Sequence, residues 1–267
     1  MGASTFPICR RFLGNLSCAR WLALAVALPL LTGCGEFMSQ QQNASGVRLY
    51  QQTKYAEALK EFQEATYSNP RDGDGYYNIA ATYHRMGRQE HCESDLKQAE
   101  KFYNDCLDRN PNHMECYRGL AVLLAERGDK DAAFRLVQGW ADREPKSADA
   151  RVELARLYDE FGNRQAAQTC LCEAIEAQPD NARALTALAK MRDDAGDKAQ
   201  ALANYKSSLS HDNRQPYVAS RISALQGGVT SPTSTGAGGT ATSPGTPSPP
   251  VVEMGTRMAD KAPSPLR

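Results

Sequence analysis

Three consecutive stretches decide the fold: GDKDAAFRLVQGWADREP at residues 128–145, GNRQAAQTCLCEAIEAQP at 162–179 and GDKAQALANYKSSLSHDN at 196–213. Each opens on a glycine, carries a small residue five positions on and a large apolar one four later. Each closes on proline, or on Asn213 in the last copy. The closing residues recur further back as Pro111 and Pro70, so the gaps from Pro70 to Asn213 are 41, 34, 34 and 34 residues. Twelve positions before each closing residue stand Ala58, Ala99, Ala133, Ala167 and Ala201. Eight before it stand Phe62, Tyr103, Val137, Leu171 and Tyr205. Five before it stand Ala65, Cys106, Trp140, Ala174 and Ser208, of which Trp140 alone is large. Two helices approach closely only where a side chain is small, and a large neighbour fills the space beside it. Glycine ends the first helix in a left-handed C-cap and proline stops the second. A unit of this length cannot bury its own apolar face, so the units must stack into a solenoid.

The first helices carry Tyr76, Ile79, Ala80 and Tyr83, then Tyr117, Leu120, Ala121 and Leu124, then Leu154, Ala155 and Tyr158, then Leu185, Leu188 and Ala189. The first unit keeps Gly46, Leu49, Tyr50, Tyr55 and Ala58. In this order of large, small and aromatic positions the chain resembles the tetratricopeptide repeat family. The resemblance covers about residues 38–226 and implies an all-α solenoid of helical hairpins, wound as a right-handed superhelix, with five repeats and a capping helix. Gln215–Gln226, with Val218, Ile222 and Leu225, supplies that cap. The second unit carries seven extra residues near Arg88–Ser94. Seven residues are about two helical turns and preserve helical phase. A lengthened hairpin is expected, with a longer loop ending at a Ser94-Asp95 N-cap as the alternative.

The two ends differ from the middle. Residues 1–33 have the form of an export leader, with Arg10, Arg11 and Arg20 followed by the apolar run Trp21–Leu31. A run of 11 residues is shorter than the about 20 a membrane span needs. It ends in Leu31-Thr32-Gly33-Cys34, which resembles the bacterial lipobox. That resemblance implies cleavage before Cys34 and a lipid on its thiol, with 34–37 as a short tether. It also implies a membrane-anchored lipoprotein facing the periplasm. Gly35 after the cysteine, where the family uses Asp for inner-membrane retention, favours the outer membrane. Residues 227–267 hold seven of the chain's 14 prolines and no aromatic residue. Such a composition predicts a disordered tail, because it cannot bury enough surface to offset the entropy of ordering.

Composition excludes several functions. The chain has 31 basic and 31 acidic residues, and removing the leader's three arginines leaves 28 against 31. There is no basic stripe for nucleic acid. No nucleophile elbow, phosphate loop or HExxH motif is present, and only four histidines occur, so no enzyme and no cofactor are expected beyond the lipid on Cys34. His113 and Cys116, with His91 and Cys92, form only a weak metal signal. Five cysteines lie in the repeats. Cys106 and Cys116 flank one turn and either form a disulfide or serve as small buried apolar residues, the commoner role in helices.

The family's first helices line a concave groove. Projected onto this sequence, that groove takes Tyr77, Asn78, Ala81, His84 and Arg85, then Arg118 and Val122, then Arg156, then Arg183 and Lys190. A stripe with an aromatic, an amide and several cations suits an extended peptide with acidic groups. The family's chaperone-tail clamp finds only Asn78 in place. The resemblance therefore implies a protein-binding scaffold of the cell envelope, in assembly of a pilus, a secretin or an outer-membrane complex. Its alternative is a non-catalytic regulator of an envelope enzyme such as a peptidoglycan synthase.

Overall fold

The computed structural model describes residues 35–227. Cys34, the leader before it and residues 228–267 lie outside the described residues, as do the expectations placed on them. Within them the chain is helical and antiparallel throughout: α1 (35–51), α2 (Tyr55–Ser68), α3 (Gly73–Glu90), α4 (Glu93–Arg109), α5 (Met114–Glu126), α6 (Lys130–Arg143), α7 (Ala148–Glu160), α8 (Arg164–Ala177), α9 (Ala182–Asp194), α10 (Lys198–His211) and α11 (Pro216–Gly227). They pair as five hairpins, each packed on the next, with α11 against α10.

The repeated positions form the core. All five alanines twelve before the closing residue are 0% exposed, as are Phe62, Tyr103, Val137 and Tyr205. Ala65, Cys106, Ala174 and Ser208 are equally buried, and Trp140 fills the same place at 1%. Trp140 fits because its ring lies flat on Tyr117, 4.4 Å away, and its indole N–H donates to Asn112 Oδ1 at 3.2 Å. Gly128, Gly162 and Gly196 all adopt φ of 81–86°, the left-handed caps that only glycine enters without strain. Side chains close the N-termini: Asp72, His113, Ser147 and Asn181 cap first helices, and Asp129, Asn163 and Asp197 cap second ones. The final helix covers the last hairpin with Val218 and Leu225.

The second hairpin is lengthened as helix, not as loop. α3 has 18 residues where α5, α7 and α9 have 13, and α4 has 17 where α6, α8 and α10 have 14. The connection shrinks to His91 and Cys92, with His91 at φ 52° in the glycine's role and Cys92 as N-cap. Ser94 and Asp95 lie inside α4, so the longer-loop alternative is excluded. Gly87 lets the extended helices meet, since a Cβ there would come within 2.7 Å of Leu96.

Of the two roles open to Cys106 and Cys116, the structure shows the disulfide, with Cα atoms 6.6 Å apart. It ties the end of α4 to the first turn of α5, between the second and third hairpins. Burial drew both inward, as for small apolar residues, and the intervening turn brought them to bonding distance. No helix of the described residues is long and apolar enough to cross a membrane.

Candidate functional site

Consecutive first helices touch one another, α3 with α5, α5 with α7 and α7 with α9. They therefore lie on the short-radius, inner side of the stack. The residues projected onto that face divide into two groups.

Four of those on α3 are sealed, while Arg85 is half-buried. Tyr77, Asn78, Ala81 and His84 are 3%, 0%, 1% and 4% exposed. The Tyr77 ring stacks 5.6 Å from His113, and burial raises its phenol well above the ordinary value. Asn78 donates to Asn43 Oδ1 at 3.2 Å, bridging the first two hairpins. His84 Nε2 lies 2.9 Å from the Glu126 carboxylate, and its Nδ1 lies 3.3 Å from Tyr103 Oη. These side chains hold hairpins together. None of them offers an open contact to an incoming segment.

Those on α5, α7 and α9 form a charged cluster. Glu153 is 0% exposed. Arg118 Nε donates to both of its oxygens at 3.1 Å, and Arg118 Nη2 joins them. Arg156 Nε donates to Glu153 Oε2 at 3.0 Å, and Arg183 Nη2 to Oε1 at 2.6 Å. Arg183 Nη1 also reaches Asp149 at 2.8 Å. Burial alone would push the Glu153 carboxyl up. The hydrogen bonds and charge of Arg118, aided by Arg156 and Arg183, outweigh it and hold the group at about 2. Three guanidiniums thus meet the carboxylates of Glu153 and Asp149, and the Glu115 carboxylate also favours the charged form of Arg118. Arg156 Nη2 is buried and has no hydrogen-bond partner among the described residues. Val122 is half-buried nearby in sequence on α5, and Lys190 is exposed on α9.

The projection found the arginines and missed Glu153, which fixes them. Its signal was present: a lone acid in the apolar run Val152-Glu153-Leu154-Ala155. Beside the disulfide, a nitrogen of His113 and the two sulfurs lie within 4.8 Å of one another, but the sulfurs are bonded to each other and not available as thiolates. His91 and Cys92 are not in that group. On the outer side a pocket of about 710 Å³ lies between α6 and the end of α7, walled by Phe134, Tyr158 and Phe161. Lys130 Nζ sits 4.4 Å from the Phe161 ring centre.

The fold and this inner face define a helical-hairpin solenoid of the protein-interaction class. Tetratricopeptide repeat models match residues 46–87, 93–148 and 131–191. The chain belongs to the tetratricopeptide repeat family. It is similar to a thermophilic tetratricopeptide repeat protein of Thermus thermophilus, with TM-score 0.52 and 23% identity over 70% of this chain and 98% of that one. It is also similar to a tetratricopeptide repeat protein of Parabacteroides merdae, with TM-score 0.52 and 16% identity over 78% and 80%. Both likenesses show the fold alone. Among curated proteins it is 32% identical over 80 residues to the Hsp70-Hsp90 organizing protein of Triticum aestivum, 30% of this chain and 13% of that one. It is 33% identical over 88 residues to the DnaJ homolog subfamily C member 7 homolog of Schizosaccharomyces pombe, 32% of this chain and 18% of that one. The match therefore spans less than a fifth of either relative.

Proposed function

We propose that this chain is a non-catalytic scaffold of the bacterial cell envelope, anchored by a lipid on Cys34, whose inner face takes an extended acidic segment of a partner protein. The observation that carries the binding part is the α5–α7–α9 cluster. Guanidiniums in water are mobile and lose entropy on binding; here Glu153 fixes three of them in place, so that loss is already met on folding. The Arg183 side chain stays 35% exposed and Arg156 Nη2 has no hydrogen-bond partner among the described residues, which suits a carboxylate. The envelope part rests on the leader and Leu31-Thr32-Gly33-Cys34. The buried Cys106–Cys116 disulfide supports it, because such bonds persist in oxidising compartments.

Cross-linking in the native envelope tests the binding reading. An Arg156→Ala/Arg183→Ala variant keeps Glu153 paired with Arg118, so it should still fold, with a lowered melting temperature, and lose the captured partners. Deleting residues 228–267 should spare them. Partners kept by the folded double variant and lost on tail deletion would move binding to the tail and leave the solenoid as a spacer.

A further inference from the structure

The outer pocket is a groove that runs down α6. Lys130, Phe134, Gln138 and Asp142 fall four residues apart on one face of that helix, and Tyr158 and Phe161 from the end of α7 form the other wall. The three rings cluster, with the Phe134 centre 4.9 Å from that of Tyr158 and 5.7 Å from that of Phe161. All three are half-buried. From Lys130 to Asp142 the groove is about 18 Å long, at about 1.5 Å per residue.

Its lining includes a glycine that the packing of the solenoid does not call for. Gly46, Gly87 and Gly119 stand where a Cβ would come within 2.7 Å of a neighbour. Gly139, inside α6, would bring its Cβ no nearer than 3.7 Å, and only to the flexible end of Arg143. A glycine inside a helix weakens it relative to alanine, and in an open groove the close approach of a second segment of backbone accounts for one.

The chain holds a segment of matching shape. Ser243-Pro244-Gly245-Thr246-Pro247-Ser248-Pro249-Pro250 sets Pro244, Pro247 and Pro250 three apart. A polyproline II helix has three residues per turn, so these rings share one edge, and at about 3.1 Å per residue the run from Pro244 to Pro250 spans about 19 Å. That is the length of the groove. Such a helix leaves its carbonyls unbonded and suits an aromatic groove with donors on its rim, here Lys130 and Gln138. Proline's fixed φ keeps the entropy lost on docking small.

The chain also leaves the solenoid in the right place. In each hairpin the first helix runs from the edge of the proline turns to the edge of the hairpin loops, and the second runs back. α11 continues that order, so residue 227 lies at the loop edge, where Lys130 and Phe161 open the groove. The groove sits two to three hairpin layers back along the stack, about 20–30 Å at helix separations of about 8–10 Å. Residues 228–243 join the two, and 16 residues of that Gly/Ser/Thr-rich composition have a root-mean-square span of about 20–24 Å. A linker whose span matches its gap gives the highest effective concentration.

We infer that Pro244–Pro250 docks as a polyproline II helix in the α6–α7 groove of the same chain, against Phe134, Tyr158 and Phe161. The docked run covers the three rings and keeps the tail away from the inner face. The inference depends neither on the lipid on Cys34 nor on the partner proposed for the α5–α7–α9 cluster.

The test places the photoreactive analogue p-benzoylphenylalanine at 138 in the full chain, in an equal mixture of isotopically light and heavy chains. Exposed position 206 on α10 is the control, since it lies nearer the start of the tail and an undirected tail would meet it more often. Irradiation should link 138 to residues 243–252 of the same chain in several-fold excess over 206. Pro244→Ala/Pro247→Ala/Pro250→Ala, which lies outside the solenoid and leaves its melting temperature unchanged, should cut that yield several-fold. Gly139→Leu, which has room for its side chain and fills the groove, should do the same. Equal yields at 138 and 206, adducts elsewhere in the tail, a yield untouched by the triple substitution, or adducts joining light to heavy chains would each overturn the docking within one chain.

Discussion

Glu153 is the residue on which the inner face depends. Its folded-state carboxyl, held at about 2 against an ordinary 4.5, makes it a source of stability with a defined pH range. The folded value is depressed, so the stabilisation is fully present above the ordinary value and is lost as pH falls from about 4.5 towards about 2. Urea unfolding should show a component with that pH dependence in the native chain and lack it in Glu153→Gln. At neutral pH the same substitution takes the buried carboxylate away from three partly exposed guanidiniums, and it should cost about 1–3 kcal/mol. A variant as stable as the native chain at pH 7 would show that the cluster is solvated. The residue scale is also where the sequence was least legible. Arg118 and Arg156 could be placed by repeat register. Tyr77, Asn78 and His84 share that register but are sealed by Tyr103, His113, Asn43 and Glu126, which come from other helices and follow from packing, not from spacing.

At the scale of the element, position relative to the closing proline told which side chains meet. Ala133 and Ala167 are fully buried, while Gln165 is exposed. Ala133→Leu or Ala167→Leu should lower stability by about 1–3 kcal/mol, and Gln165→Leu should leave the melting temperature nearly unchanged. Gly119→Ala belongs with the costly pair, because a Cβ there would stand 2.4 Å from the Tyr103 ring, which is itself 0% exposed and cannot yield. Equal melting temperatures for all four variants would contradict this packing. The hairpin lengths were legible because seven residues keep helical phase, although how they divide between α3 and α4 was not. The disulfide was legible only as one of two alternatives. Spacing alone could not separate bonded from merely buried cysteines, since the same turn geometry serves both. A Cys106→Ala/Cys116→Ala chain loses a cross-link over a sequence separation of 10 and should be less stable by about 2–3 kcal/mol. Thermal unfolding of the native chain with and without a thiol reductant should show the same difference.

At the scale of the whole molecule, the solenoid follows from one pattern repeated, which is why its class could be read before any coordinate. The attachment proposed for it rests on Cys34, which lies outside the described residues. Cys34→Ser should accumulate unprocessed precursor or release the protein to the soluble fraction; processing at the same site with unchanged membrane retention would refute lipidation. The long second hairpin has a further consequence. With α3 five residues and α4 three residues longer than their counterparts, its tip extends by about 5–8 Å at 1.5 Å per residue. A strictly periodic groove gives a guest strand several near-equivalent seats, one per repeat, and no means of telling them apart. A single outsized tooth, locked to its neighbour by a covalent bond on one side only, breaks that degeneracy. For the strand proposed to bind there, it would mark an origin, and so give a repetitive surface direction as well as position.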